Sequence, residues 1–191
     1  MKSLRELYRI GTGPSSSHTM GPRKAAEQFL AKHPEAKAFE VILYGSLAAT
    51  GKGHMTDVAI LDTLEPHAPV EIVWKPHIFF PFHPNGMTFK SKNENGKVTD
   101  EWTVFSVGGG ALAEEGHMPD ASQEIYSMNS MSQILYWCEQ TGRSYWEYVE
   151  QCEGPEIWTF LAEVWETMKA AIERGLDAEG VLPGPLNLRR K

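Results

Sequence analysis

Cysteine is almost missing from this chain of 191 residues: only Cys138 and Cys152 are present. Two isolated thiols make neither a disulfide framework nor a CxxC metal site. HExxH is absent too, as is any Cys/His cluster with ligand spacing. A metal or cluster taking part in the chemistry would therefore draw most of its ligands from other protein. No apolar run approaches the ~20 residues that a membrane helix requires. Positive charge is in deficit, with 18 Lys and Arg against 25 Asp and Glu and a net charge of −7. That balance, with no basic patch to offset it, argues against nucleic acid and against anionic membranes as partners. The opening Met1-Lys2-Ser3-Leu4-Arg5-Glu6-Leu7-Tyr8 is amphipathic and too polar for a signal peptide, so a cytoplasmic location is expected. GxGxxG and Walker A phosphate loops are lacking. A Ser-His-Asp hydrolase has its residue types here but no nucleophile elbow to support it. No internal repeat or low-complexity tract is found.

What remains is ordinary globular material. Hydrophobic residues make up 41% and charged residues 23%, enough for a real core under a soluble surface. The length suits one domain, or a domain with an appendage. The pattern predicts a short helix over 3–10, a Ser-rich loop, and a helix to about His33. Strand-like 39–44 runs into a small-residue turn or short helix, Gly45 to Thr50, closing on Gly51-Lys52-Gly53-His54. Helical spacing over 56–64 puts Val58, Leu61 and Leu64 on one face. Val70 to Trp74 reads as a strand. His77 to Phe82 is apolar but carries Pro81, which assigns it to an edge or a bulge. Met87 to Lys92 and Val98 to Val107 flank Asn95-Gly96, a strong hairpin signal. After residue 120 three helices are expected, over 133–140, 144–152 and 155–174, with Pro155 in a first turn. Their tryptophans, Trp137, Trp146, Trp158 and Trp165, fall at helical positions and are expected in the core. Residues 180–191 form a Pro/Gly linker that ends on Arg189-Arg190-Lys191.

The chain is organised around Gly13-Pro14-Ser15-Ser16-Ser17-His18-Thr19-Met20-Gly21-Pro22. Pro and Gly on both flanks forbid a regular helix or strand through it, which predicts a loop of fixed shape. A helix follows at once, and donors gathered at a helix N-terminus suit carboxylates and phosphates. The plainer alternative is a Ser/Thr-rich N-cap without a ligand, although one hydroxyl is enough for a cap. Three more loops share this character: Gly53-His54 with Thr56-Asp57, His83-Pro84-Asn85, and Ser106 before Gly108-Gly109-Gly110. Imidazoles exchange protons near neutral pH. Asn and Ser side chains and glycine N–H groups can hold a carboxylate or oxyanion. Singly, each loop has a bland rival as a cap, a turn or a connector. Four of one type in the first 110 residues point to a shared site. His33, His67, His77 and His117 lack such settings and are expected at the surface or in packing.

Together the four loops resemble the β domain of the iron–sulfur-dependent bacterial L-serine dehydratases (L-serine ammonia-lyases). The residues that carry the resemblance are Gly13 to Pro22, Gly45 to Asp57, His83-Pro84-Asn85-Gly86-Met87 and Ser106 to Gly110, in the family's order. Two positions depart from it. Met55 stands where Gly is usual, which is expected to narrow the loop after His54, and Pro185 stands where a second Gly is usual. The resemblance implies an α/β (α+β) fold: a small mixed or antiparallel sheet with flanking helices, similar to the allosteric substrate-binding domain of phosphoglycerate dehydrogenases, then a helical C-terminal tail. It implies a β domain over 1–154, and over 155–191 a helix and linker leading to an α domain that this chain lacks. That α domain, as a joined domain or a separate subunit, would carry the cysteines of a 4Fe–4S cluster. This chain would be one part of the enzyme, silent without the other. The implied activity is deamination of L-serine to pyruvate and ammonia, in a homodimer, with a place in amino-acid metabolism and gluconeogenesis. His54 and His18 would handle protons. Ser15, Ser16, Ser17, Thr56, His83, Asn85 and Ser106 would bind substrate. The alternative is a regulatory module that binds serine or another small anion and does no chemistry; a third reading is an assembly scaffold.

Overall fold

A computed structural model describes residues 1–117, 124–182 and 187–190. Pro185 and the middle of the Pro/Gly linker lie outside the described residues, as does Lys191. Two compact units result. One comprises Gly11–Pro119 with Val181–Arg189, the other Met1–Ile10 with Asp120–Gly180 and Arg190–Lys191.

The chain opens with α1, Leu4–Leu7, shorter than the amphipathic pattern suggests. The Ser-rich stretch is not the irregular loop expected from its flanks: Ser16–Met20 form a π-helical turn that runs directly into α2, Gly21–Lys32. The flanking residues permit this because Gly21 takes a right-handed helical conformation and Pro22 falls in the first turn, where no N–H is needed. Strand β1, Ala38–Tyr44, leads into the short helix α3, Gly45–Thr50, and then α4, Thr56–Leu64. These two helices form the crossover to β2, Val70–Lys75, which lies parallel to β1. Strands β3, Gly86–Lys92, and β4, Val98–Gly108, form the hairpin that Asn95-Gly96 signals, and β5, Ala111–Ala113, turns back after the three glycines. The order β2-β1-β3-β4-β5 makes a mixed sheet, since β3 runs antiparallel to β1.

Alternation along the strands sorts the two faces. Phe39, Val41 and Leu43 of β1, with Met87 and Phe89 of β3 and Val104 of β4, are buried against α2 and α4. Helix α2 answers with Ala25, Ala26 and Phe29, spaced as one helical face requires, and Phe29 touches the rings of Phe39 and Phe89. The buried face of α4 differs from the expected one. Thr56, Ala59, Ile60 and Leu64 point inward, and Val58 is exposed. Apolar residues on this helix outnumber one stripe, so spacing alone does not choose among them. On the opposite sheet face Glu40 is held by Lys90 at 3.4 Å and Lys92 at 2.6 Å. Residues 77–82 do not form an edge strand. They make an irregular segment whose Phe80 and Phe82 pack on Phe105, with Ile78 and Phe79 exposed.

The other unit holds α5, Met131–Thr141, α6, Tyr145–Glu153, and α7, Ile157–Asp177. Ser130 and Ser144 start α5 and α6 with reciprocal capping boxes to Gln133 and Glu147. Pro155 precedes α7 in a turn. Burial pushes the Glu153 carboxyl up, but hydrogen bonds from Ser3, Tyr126 and the Leu4 N–H outweigh it and hold the group below the usual carboxylate range. The tryptophans are not core residues here. Trp146, Trp158 and Trp165 are exposed, and the buried positions are Tyr148, Ile157 and Val164. Trp146 and Trp158 instead meet edge to face, 6.1 Å between centroids, with the Trp158 indole N–H donating to Glu150.

Candidate active site

Topology brings the four loops to one end of the sheet. The C-terminal end of β1 and the start of β3 coincide because the two strands are antiparallel neighbours, and the end of β4 lies beside the start of β3. The π-turn packs against α4 and β4 at that end.

The π-turn uses its hydroxyls for different tasks. Ser15 is the cap: its Oγ accepts from the His18 N–H at 3.1 Å, and its carbonyl accepts from Thr19 and Met20. Ser17 Oγ lies 2.9 Å from His18 Nδ1. Ser16 is exposed. The other ring nitrogen of His18, Nε2, lies 3.1 Å from Ser46 Oγ on α3. A hydroxyl can donate to one nitrogen and accept from the other, so the neutral ring is satisfied in either tautomer. Burial pushes the His18 pKa below its ordinary value and the charge of His54 pushes it further the same way, while the Ser46 backbone opposes both. The net shift favours the neutral ring.

His54 lies beside it, with ring centroids 4.8 Å apart and planes tilted by 43°. Its Nδ1 is 3.0 Å from the Thr50 carbonyl oxygen. A carbonyl only accepts, so Nδ1 carries the proton and the neutral ring keeps its lone pair on Nε2. Nε2 has no hydrogen-bond partner among the described residues. The arrangement presents a free imidazole base whose tautomer is set by the backbone.

The remaining loops form the frame. Ser46 N–H donates to the Pro84 carbonyl at 3.1 Å, tying α3 to the His83-Pro84-Asn85 segment. His83 Nδ1 accepts from the Asn85 N–H at 3.2 Å, which favours the neutral ring, and burial lowers its pKa in the same sense. Asn85 Nδ2 donates to the Ser106 carbonyl at 3.2 Å, and the Ser106 N–H donates back to the Asn85 carbonyl. Ser106 is wholly buried and its Oγ is unpartnered; it faces Gly21, where an added Cβ would collide with it. Thr56 is also wholly buried, and its hydroxyl donates to the His18 carbonyl oxygen. These contacts join all four loops in one cluster. Ser46, Thr19 and the Thr50 carbonyl do not stand out in the sequence. Ser46 lies in the small-residue turn after β1, but its partner His18 is 28 positions away.

Met55 follows His54 and stands at the entry to α4. It adopts φ 57° and ψ 34°, the left-handed region in which glycine is unstrained. The position calls for a backbone conformation that favours glycine.

Among the described residues, no group of three or more His, Cys, Asp or Glu side chains is placed to hold a metal ion. Cys138 and Cys152 stand on α5 and α6 and are partly buried as free thiols. This donor set does not fit an iron–sulfur cluster. Nor is any helix among the described residues long and apolar enough to cross a membrane.

Comparisons with known proteins place the sequence in a family. The family model "Serine dehydratase beta chain" matches residues 3–75 and 67–117. L-serine dehydratase 1 of Escherichia coli K12 is 35% identical, covering 100% of this chain and 53% of that protein. L-serine dehydratase of Haemophilus influenzae is 32% identical, with the same coverage, and that of Mycobacterium bovis is 33% identical over 99% of this chain and 51% of that protein. The chain spans about half the length of these curated relatives. With the match running through all four loops of the cluster, the chain belongs to the serine dehydratase beta chain family.

Proposed function

We propose that this chain supplies part of the active site of an L-serine dehydratase, converting L-serine to pyruvate and ammonia. The observation that carries the proposal is the bare Nε2 of His54, presented by a backbone-fixed tautomer beside a neutral His18. The family supports the substrate, since the relatives are named for serine.

In this reading His54 Nε2 accepts the α-proton of serine. The Cα–H electron pair forms the Cα–Cβ double bond, the Cβ–O bond breaks, the departing hydroxyl takes up the proton that His54 returns and leaves as water, and aminoacrylate results. Its tautomeric imine takes up water to release ammonia and pyruvate. His18, bonded on both ring nitrogens, packs beside the His54 ring and holds it in place. Ser16, Ser17, His83 and Asn85 contact the substrate's polar groups, with the His83 Nε2–H as a donor. Ser15, Thr56 and Ser106 form the frame that holds these groups. A 4Fe–4S cluster, which would supply a Lewis acid for the leaving hydroxyl, belongs with the half of the relatives that this chain does not span. That half is the proposed partner, and homodimer formation and a cytoplasmic location belong to the same reading.

The test is His54→Ala in the complete enzyme. Loss of a general base lowers kcat by roughly 10²–10⁴-fold with KM little changed. A normal kcat with raised KM would assign His54 to binding, and unchanged kinetics would remove it from the site.

A further inference from the structure

Thr19 and Thr56 are buried hydroxyl groups, 2% and 0% exposed, in a cluster built to present two imidazoles. Neither serves its own loop's histidine. Thr19, next to His18, donates to the carbonyl oxygen of His54 at 2.6 Å. Thr56, two residues after His54, donates to the carbonyl oxygen of His18. The two bonds cross between loops 35 and 38 positions apart.

We propose that Thr19 and Thr56 form a reciprocal clasp whose role is to position the His18–His54 pair. The inference rests on the reading of His54 as the proton acceptor, and it names what holds that residue in register. Each bond fixes one histidine's backbone against the opposite loop, and the pair together fix both the separation and the relative tilt of the rings. Shorter tethers then set each ring within its loop: Ser17 and Ser46 for His18, the Thr50 carbonyl for His54. A partly buried carbonyl that loses its donor must find another, and here the nearest remedy is to turn the histidine toward water. Valine has the shape of threonine, so its effect isolates the hydroxyl from the volume. His54 is the titratable neighbour that acts on His18, and ring separation therefore reads out in the titration of His18.

The experiment is a proton NMR titration of the histidine ring signals in the full chain. His54→Ala should shift the His18 midpoint upward, because it removes a ring that helps bury His18 and whose charge, once protonated, opposes protonation of His18. Thr19→Val and Thr56→Val should each shift it in the same direction with both rings still present. Thr19→Ser and Thr56→Ser, which keep the hydroxyl, should restore the native midpoint. Valine variants with native far-UV circular dichroism and an unchanged His18 midpoint would overturn the clasp. Should a valine variant unfold, the unsubstituted chain decides: the clasp requires nuclear Overhauser contacts between the His18 and His54 rings, and their absence refutes it. These readouts do not depend on turnover. A His54→Ala enzyme with normal kcat would sink the proposed chemistry and leave the titrations as they are, so the two failures are distinguishable.

Discussion

Met55 carries the clearest strain at the scale of a single residue. It is a non-glycine residue in the left-handed region at the entry to α4. That conformation costs an L-residue roughly 1–2 kcal/mol. Glycine avoids this but adds roughly 0.5–1 kcal/mol of backbone entropy to the unfolded chain. The difference leaves up to about 1.5 kcal/mol in favour of Met55→Gly. Urea denaturation should show a higher midpoint for this variant with an unchanged slope; a lower midpoint would mean that the thioether packs better than its backbone suggests. Residues of this kind divide what a sequence can show from what it cannot. His54 is legible, because it stands between small residues and a helix start. Ser46 and Thr19 are not, since a hydroxyl's partner is a matter of tertiary proximity. Thr56 is legible as a site residue but not as a donor to a distant backbone carbonyl.

Element ends decide where the site's groups stand. Helix α3 begins at Gly45, with φ 47°, where a Cβ would lie 2.6 Å from the Pro84 carbonyl oxygen and 2.9 Å from Phe79 Cδ1. The same Pro84 carbonyl receives the Ser46 N–H, and Ser46 holds His18. Gly45→Ala therefore combines the left-handed cost with a displaced acceptor, and should destabilise by about 2 kcal/mol or more. Gly175→Ala is the contrast: it lies on α7 with open space around it, and helix propensity predicts a gain of up to about 1 kcal/mol. Equal effects in thermal unfolding would contradict the account. Most elements are readable in advance, because hydrophobic period and the Asn-Gly turn act locally. Three features are not. The π-turn arises because Gly21 and Pro22 suit the start of a helix as well as a loop. The face of α4 escapes the periodicity because its apolar residues fill more than one stripe. The segment over 77–82 is anchored by ring contacts to Phe105, which no local pattern records.

For the whole molecule, the mixed sheet converts four separate loops into one cluster. The parallel β1–β2 crossover carries His54 and Thr56 back over the end of β1, and the antiparallel β3 and β4 deliver Asn85 and Ser106 to that same end. The expectation of a shared site rests on the likeness of the loops; the contacts that join them depend on strand order, which the sequence leaves open between mixed and antiparallel. The tryptophan-rich helices show the opposite case, since helical spacing places Trp146, Trp158 and Trp165 on helices without saying which face is buried. The central claim is that this fold fixes the His54 tautomer, with the proton on Nδ1 and a bare Nε2. Nitrogen-15 NMR of the histidine side chains in this chain, at alkaline pH, tests it directly. The account predicts the proton on Nδ1, hydrogen-bonded to Thr50, and an unprotonated Nε2; a proton found on Nε2 would contradict it.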